Sequence, residues 1–213
     1  MSTAVIRRAF LAAPLFLLIG VIGMKFGWKG NNDLDWGVAL PLWTGAHVMY
    51  ILGYLFFGIV LNELWTRARA SARNGVERGS VDVLAVAGAV GLIAMLGQMV
   101  IDLLVGFQAD SRADMGGISR SFHDIPGFDT FFYGAVPALQ LTATAILILM
   151  LAFRRQVSAW PAVAFLGGSL CIATGVTALM VTGGVALCVA LPAMARRTTR
   201  GATSSRDRVA QPS

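Results

Sequence analysis

The chain has 213 residues, of which 56% are hydrophobic and only 13% charged, and its mean hydropathy is +0.71. So little polar surface cannot solvate a core of this size, which excludes an ordinary soluble domain and makes the lipid bilayer the expected partner. The net charge of +6 invites a nucleic-acid reading, but the basic residues are confined to particular loops and no nucleic-acid partner is expected. Arg outnumbers Lys by 15 to 2 among abundant Ala, Gly and Val, a composition that fits GC-rich bacterial coding and hence a bacterial inner membrane.

The first apolar run, Ala9 to Phe26, follows Arg7-Arg8 in the local order of a twin-arginine signal. No small-x-small cleavage site follows it and further apolar runs come after, so it reads as a retained signal anchor. Lys25 near its far end is placed to snorkel to the interface, and Gly23 and Gly27 make a small-residue pair that another helix can approach. A polar connection with Trp28, Lys29, Asn31, Asn32, Asp33, Asp35 and Trp36 leads to a second span, Val38 to Leu64, long enough to cross with tilt. Trp28, Trp36 and Trp43 fit an interfacial aromatic belt. Trp43, His47, Tyr50 and Tyr54 recur at steps of four, three and four, which puts them on one helix face. Such a stripe serves packing more often than chemistry.

The loop Thr66 to Ser80 carries Arg67, Arg69, Arg73 and Arg78 and reads as cytoplasmic. The third span, Val81 to Phe107, begins with a Gly/Ala-rich half suited to close helix packing and ends with Gln98 and Asp102 one turn apart. The connection Gln108 to Asp129 is long for a loop between spans, and such loops are often lids or binding loops; its partly apolar segment Ser121 to Pro126 is expected to fold back and carry His123 and Asp124 towards Asp102. The fourth span, Thr130 to Phe153, places Tyr133, Pro137, Gln140 and Thr144 on one stripe, with Pro137 a candidate kink.

Trp160 to Ala195 is a continuous apolar stretch of 36 residues, too long for one ordinary span and enough for two short ones. Arg154-Arg155 and Arg196-Arg197 share a face only if the chain crosses twice between them. The expected turn lies within Thr174 to Gly184, and Gly167, Cys171 and Gly175 form a second small-residue seam. Cys171 and Cys188 lack CxxC spacing and read as structural cysteines, with neither a disulfide nor a zinc site.

The resulting expectation is an all-α, polytopic membrane helix bundle: a domain of six transmembrane helices over 1–195 and a disordered cytoplasmic tail over 196–213. Thirteen of the 17 basic residues then lie in the N-terminal segment, the Thr66 to Ser80 loop, the segment after Phe153 and the tail, which makes both termini cytoplasmic.

An ionisable group inside a span is costly and usually faces the interior or a cavity, which makes Asp102 the first candidate for function. With this topology His47, Gln98, Asp102, Tyr133 and Gln140 lie in the outer halves of three spans, and Asp33, Asp35, His123 and Asp124 in outer connections, so that they can line one outward-facing cup. Gln98, Asp102 and Gln140 can bond across helices as polar glue. A metal site lacks any local HxxxH or HxxE ligand pair, so no metal and no cofactor is expected. A carrier would use Asp102 as a proton site, although no inverted repeat is visible. A membrane enzyme would use it as an acid, since carboxylic acids in low-dielectric pockets can stay protonated near neutral pH and protonate an alkene or an epoxide.

Asp102, Glu63 at the inner end of the second span and the aromatics Tyr50, Tyr54, Phe56 and Tyr133 give the chain a layout that resembles the small integral-membrane terpene cyclases of meroterpenoid and indole-sesquiterpene pathways. The resemblance is one of overall design across residues 1 to 195. Where the fungal members typically have seven spans and a functional glutamate following a tryptophan, the order here is Asn62-Glu63-Leu64-Trp65, and Glu63 also suits an i,i+4 pair with Arg67. The resemblance implies a lipid-soluble isoprenoid substrate and acid-initiated cyclisation. On that reading Asp102 is the proton donor, oriented by Gln98 or His47, with His123 and Asp124 a second acid/base pair; Tyr50, Tyr54, Tyr133 and Gln140 contact substrate, the aromatic faces stabilising a carbocation.

Overall fold

A computed structural model describes residues 1–28 and 35–209, with side chains over 1–25 and 35–195. The side chains of 26–28, residues 29–34, the side chains of 196–209 and residues 210–213 lie outside it, and with them the expectations placed there. In hydrocarbon every backbone N–H and C=O must be satisfied within the chain, so long apolar runs become helices. The described chain forms α1 (Thr3–Ile22) with a π-helical extension (Gly23–Trp28), α2 (Trp36–Ser71), α3 (Gly75–Gln108) and α4 (Arg112–His123). A π-helical turn (Asp129–Tyr133), α5 (Ala135–Phe153), α6 (Ala159–Ala173) and α7 (Thr177–Val209) follow.

Among the described residues, five helical segments are long and apolar enough to cross a bilayer: Thr3–Lys25, Trp36–Ser71, Gly75–Gln108, Asp129–Phe153 and Thr177–Ala195. This is the build of a multi-pass membrane protein. The sixth apolar helix, α6, has 15 residues, about 22 Å at the α-helical rise and short of a hydrocarbon core about 30 Å thick. It turns into α7 through Thr174 to Val176, within the expected interval, where Gly175 adopts φ +70°, a left-handed conformation that favours glycine. The seam between these two helices differs from the expected one. Gly168, not Gly167, faces α7, where the backbone of Gly183 lies against it, while Gly167 faces open space. Both cysteines are free and half-buried.

The basic loop is almost entirely helical. α2 and α3 continue to Ser71 and from Gly75 because Asn74 caps α3, its side chain accepting from Glu77 N at 2.9 Å, while Glu77 accepts from Arg73 N at 2.6 Å. Arg154, just after α5, donates to Ser71 O and to Glu77 Oε2, both at 2.5 Å, and ties the α2–α3 turn to the end of α5. The long connection from Gln108 to Asp129 is likewise not irregular. Ser111 caps the amphipathic α4, accepting from Asp114 N, and Met115, Ile118 and Phe122 of that helix pack on Ala39, Trp43, Ile101 and Val105 at the end of the bundle. Pro137 makes no kink: it sits in the first turn of α5, where a missing N–H disrupts nothing.

α1 packs between α2 and α7, α3 against α2 and α5, and α6 against α7 and α5. The half of the bundle nearest the basic ends is packed solid around Phe10, Phe57, Leu64, Leu147, Leu151 and Phe165. The opposite half is not.

Candidate functional site

In that less filled half lies a cavity of about 300 Å³ walled by all six apolar helices. From α2 come His47, Tyr50 and Tyr54, from α3 Gln98 and Asp102 with Met95 and Met99, and from α5 Gln140. Residues of α1, α6 and α7 close the wall with Leu17, Ile172, Met180 and Leu187. Six of the ten candidate residues thus share one chamber. The Tyr–His stripe arises because steps of three and four keep side chains on one face of α2; the 98/102 step does the same on α3.

Asp102 is the polar centre. Its side chain is 19% exposed and that of His47 2%. Tyr133 donates its hydroxyl to Asp102 Oδ1 at 2.6 Å, and Trp43 Nε1 donates to the Asp102 backbone carbonyl at 3.0 Å, fixing α2 and the π-helical turn before α5 to α3 at this level. His47 Nδ1 lies 2.8 Å from Trp43 O. A carbonyl can only accept, so Nδ1 carries the hydrogen and Nε2 of the neutral ring is a lone pair. That lone pair is 3.5 Å from Asp102 Oδ2. The imidazole and the carboxylate thus face one another at the cavity wall as an acid–base pair.

Gln140 is 1% exposed and lines the same cavity, and its amide nitrogen has no hydrogen-bond partner among the described residues. Gly91 on α3 explains its position: a side chain there would collide with the backbone of Gln140 and Val136, so the glycine lets α5 approach α3 backbone to backbone. Lys25 does not simply reach for solvent. It lines the cavity and its Nζ donates to Gly175 O at 3.3 Å, bridging α1 to the α6–α7 turn.

Other candidates lie elsewhere. Gln98 lines the cavity but makes no hydrogen bond to Asp102 among the described residues; His47 and Tyr133 hold that carboxylate. Tyr133 belongs with His123 to a second, more open cavity of about 490 Å³ under the π-helical turn, so its phenol spans the partition between the two. His123 lies against Tyr133, ring centroids 5.0 Å apart and planes tilted by 44°, and pairs with Asp129 and Ser119. Its acidic partner is thus Asp129, at the end of the connection between the third and fourth apolar runs, and not Asp124. Asp124 is exposed, and its backbone N–H closes the end of α4 on Arg120 O. Glu63 sits at the basic end, bound to Arg67 at 2.7 Å, remote from the cavity. Phe56 stacks on Phe16, centroids 5.8 Å apart, and does not line the cavity. Among the described residues, no three His, Cys, Asp or Glu side chains are grouped as a metal site would require.

Compared with protein-family models, curated proteins and solved structures, the chain shows no significant match. The fold and the cavity themselves define its class: a helical multi-pass membrane protein with an internal chamber walled by apolar and a few polar side chains.

Proposed function

We propose that this protein is a membrane enzyme acting on a lipid-soluble isoprenoid, with Asp102 as the acid that starts a cyclisation. The observation that carries the reading is the contact of Asp102 Oδ2 with His47 Nε2 at 3.5 Å at the wall of a cavity lined by Tyr50, Tyr54 and four methionines. About 300 Å³ lies at the small end of ligand pockets, and its mostly apolar wall suits a hydrocarbon chain bearing one oxygen. Gln140 offers an unpaired N–H₂ to such an oxygen. The proton would pass from Asp102 to a substrate alkene carbon or epoxide oxygen, leaving a carboxylate. Ring closure would consume the cation at one carbon and leave it at another, and loss of a proton from the product would restore the Asp102–His47 pair. The step is a net isomerisation, and the two tyrosine faces would stabilise the cation in transit. In the same reading α6 is the sixth crossing, and both termini and the arginine-rich ends face the cytoplasm.

Asp102→Asn tests this directly. Asparagine keeps an oxygen for Tyr133 and offers an N–H to His47 Nε2, so the fold is expected to persist while the dissociable proton is gone. Membranes carrying the wild-type protein should convert prenylated or epoxidised isoprenoids to cyclic products, and D102N should not. Unchanged substrate with wild type, or full conversion by D102N, overturns the proposal. One observation favours a second reading, a proton-coupled carrier: Tyr133 joins Asp102 to the His123–Asp129 pair in the outer cavity. A carrier would show pH-dependent uptake into vesicles, abolished in D102N, with no change in substrate structure.

A further inference from the structure

At the opposite, basic end a second composite feature lies on the outside of the bundle, between α2 and α3. Its upper part is a groove of about 410 Å³ whose wall is apolar: Gly58, Leu61, Ala85, Val86, Ala89 and Leu92. Its foot is a recess of about 380 Å³ lined by Thr66, Arg69 and Arg78. Trp65 and Arg69 line both, so the two are continuous.

The foot is organised by Asp82, near the start of the third apolar run. Trp65 donates its indole N–H to Asp82 Oδ1 at 2.7 Å, and Arg69 Nε donates to the same carboxylate at 2.9 and 3.2 Å. The Arg69 guanidinium carbon lies 6.0 Å from the Trp65 ring centroid. Asp82 thus takes only the Nε–H of Arg69 and fixes the plane of its guanidinium, while the terminal nitrogens remain to donate to something else. Arg78, exposed, forms no ion pair among the described residues. Two arginines against one aspartate leave the recess positive. Along α3 the groove extends from Asp82 to Leu92, about 15 Å at the helical rise and about half of a hydrocarbon core, one leaflet deep.

An occupant must therefore carry an anion at one end and a leaflet-length apolar chain at the other. We propose that the α2–α3 groove binds an anionic phospholipid, its phosphate held by Arg69 and Arg78 and one acyl chain laid along Leu61, Ala85, Ala89 and Leu92. Trp65 marks the boundary between head and tail, where indoles settle in bilayers. The site is separate from the Asp102 cavity and does not depend on what that cavity does.

Native mass spectrometry of the full chain in detergent tests it, with phosphatidylglycerol and phosphatidylcholine of identical chains as probes. Phosphatidylglycerol is expected to be retained in preference, by about fivefold for each arginine engaged. R78Q, which removes an exposed side chain with no ion pair, should lower the preference, and R69Q/R78Q should abolish it. Ala89→Phe, which fills the groove, should weaken both lipids while leaving the remaining headgroup preference intact. Equal retention of the two lipids, a preference unchanged in R78Q and in the double variant, or displacement of bound lipid by glycerol phosphate alone would overturn the proposal.

Discussion

Gln140→Met separates an amide that awaits a ligand from one that serves as a strut between helices. The residue is 1% exposed and its side-chain nitrogen has no partner among the described residues. Methionine is similarly long and unbranched, so the contact of α5 with Gly91 survives and the change removes only a buried polar group that makes no bond. Leaving such a group unsatisfied costs about 1–3 kcal/mol. Part of this is relieved by the polar wall around Asp102, so the variant is expected to gain about 1–2 kcal/mol of stability. For a chain of this size that raises the unfolding midpoint by about 2–8 °C. The assay is thermal unfolding of the purified protein in detergent, followed by near-UV circular dichroism, with and without an oxygenated isoprenoid. The expected result is a higher midpoint without ligand and a smaller rise when ligand is added. A midpoint that falls by a similar amount would refute the reasoning, because it would mean that the amide bonds across helices and faces no ligand.

Tyr133→Phe deletes the hydroxyl bound to Asp102 Oδ1 and is expected to cost about 1–2 kcal/mol and to slow any Asp102-dependent turnover; unchanged stability and rate would mean that the bond is idle. Gly91→Ala forces a methyl against the backbone of Gln140 and Val136, and a loss of about 1–3 kcal/mol should appear as a lower unfolding midpoint, whereas a neutral effect would contradict the close approach of α3 and α5. Arg155, at φ 58°, is the one non-glycine residue in the left-handed region among the described residues. Arg155→Gly should gain about 1 kcal/mol without altering activity, measured by the same unfolding assay.

Some of the site was legible in the chain. Asp102 stood out because a carboxylate within an apolar run has few tolerable environments. His47, Tyr50 and Tyr54 followed from helical period alone, since steps of three and four allow only one shared face. What pattern could not supply was the third direction. Tyr133 and Gln140 are seven residues apart on the fourth apolar run, yet a π-helical turn and the break at Gly134 separate them, and they reach different cavities. Asp129 and Asp82 carry no signal in the sequence because each sits near the boundary of a run, where an acid needs no special explanation; their importance lies in the partners His123, Trp65 and Arg69. The loop reading of Thr66 to Ser80 erred for a related reason: local charge marked it as polar, whereas capping by Asn74 and the grip of Arg154 on Ser71 and Glu77 extended both helices through it.

The sequence by itself determined that the chain is a bundle of apolar helices with its basic charge gathered at particular ends, because burial in hydrocarbon leaves the backbone no other arrangement and because charge segregation is written residue by residue. Only the tertiary structure decided that Asp102 faces His47 and Tyr133, that Gln140 is left unpaired beside them, and that Glu63 and Asp124 stand apart. Those outcomes depend on the rotation of each helix about its axis and on the closeness of its neighbours. These are set by small contacts such as Gly91 against Gln140 and Trp43 against the Asp102 carbonyl, which no periodicity along a single helix records.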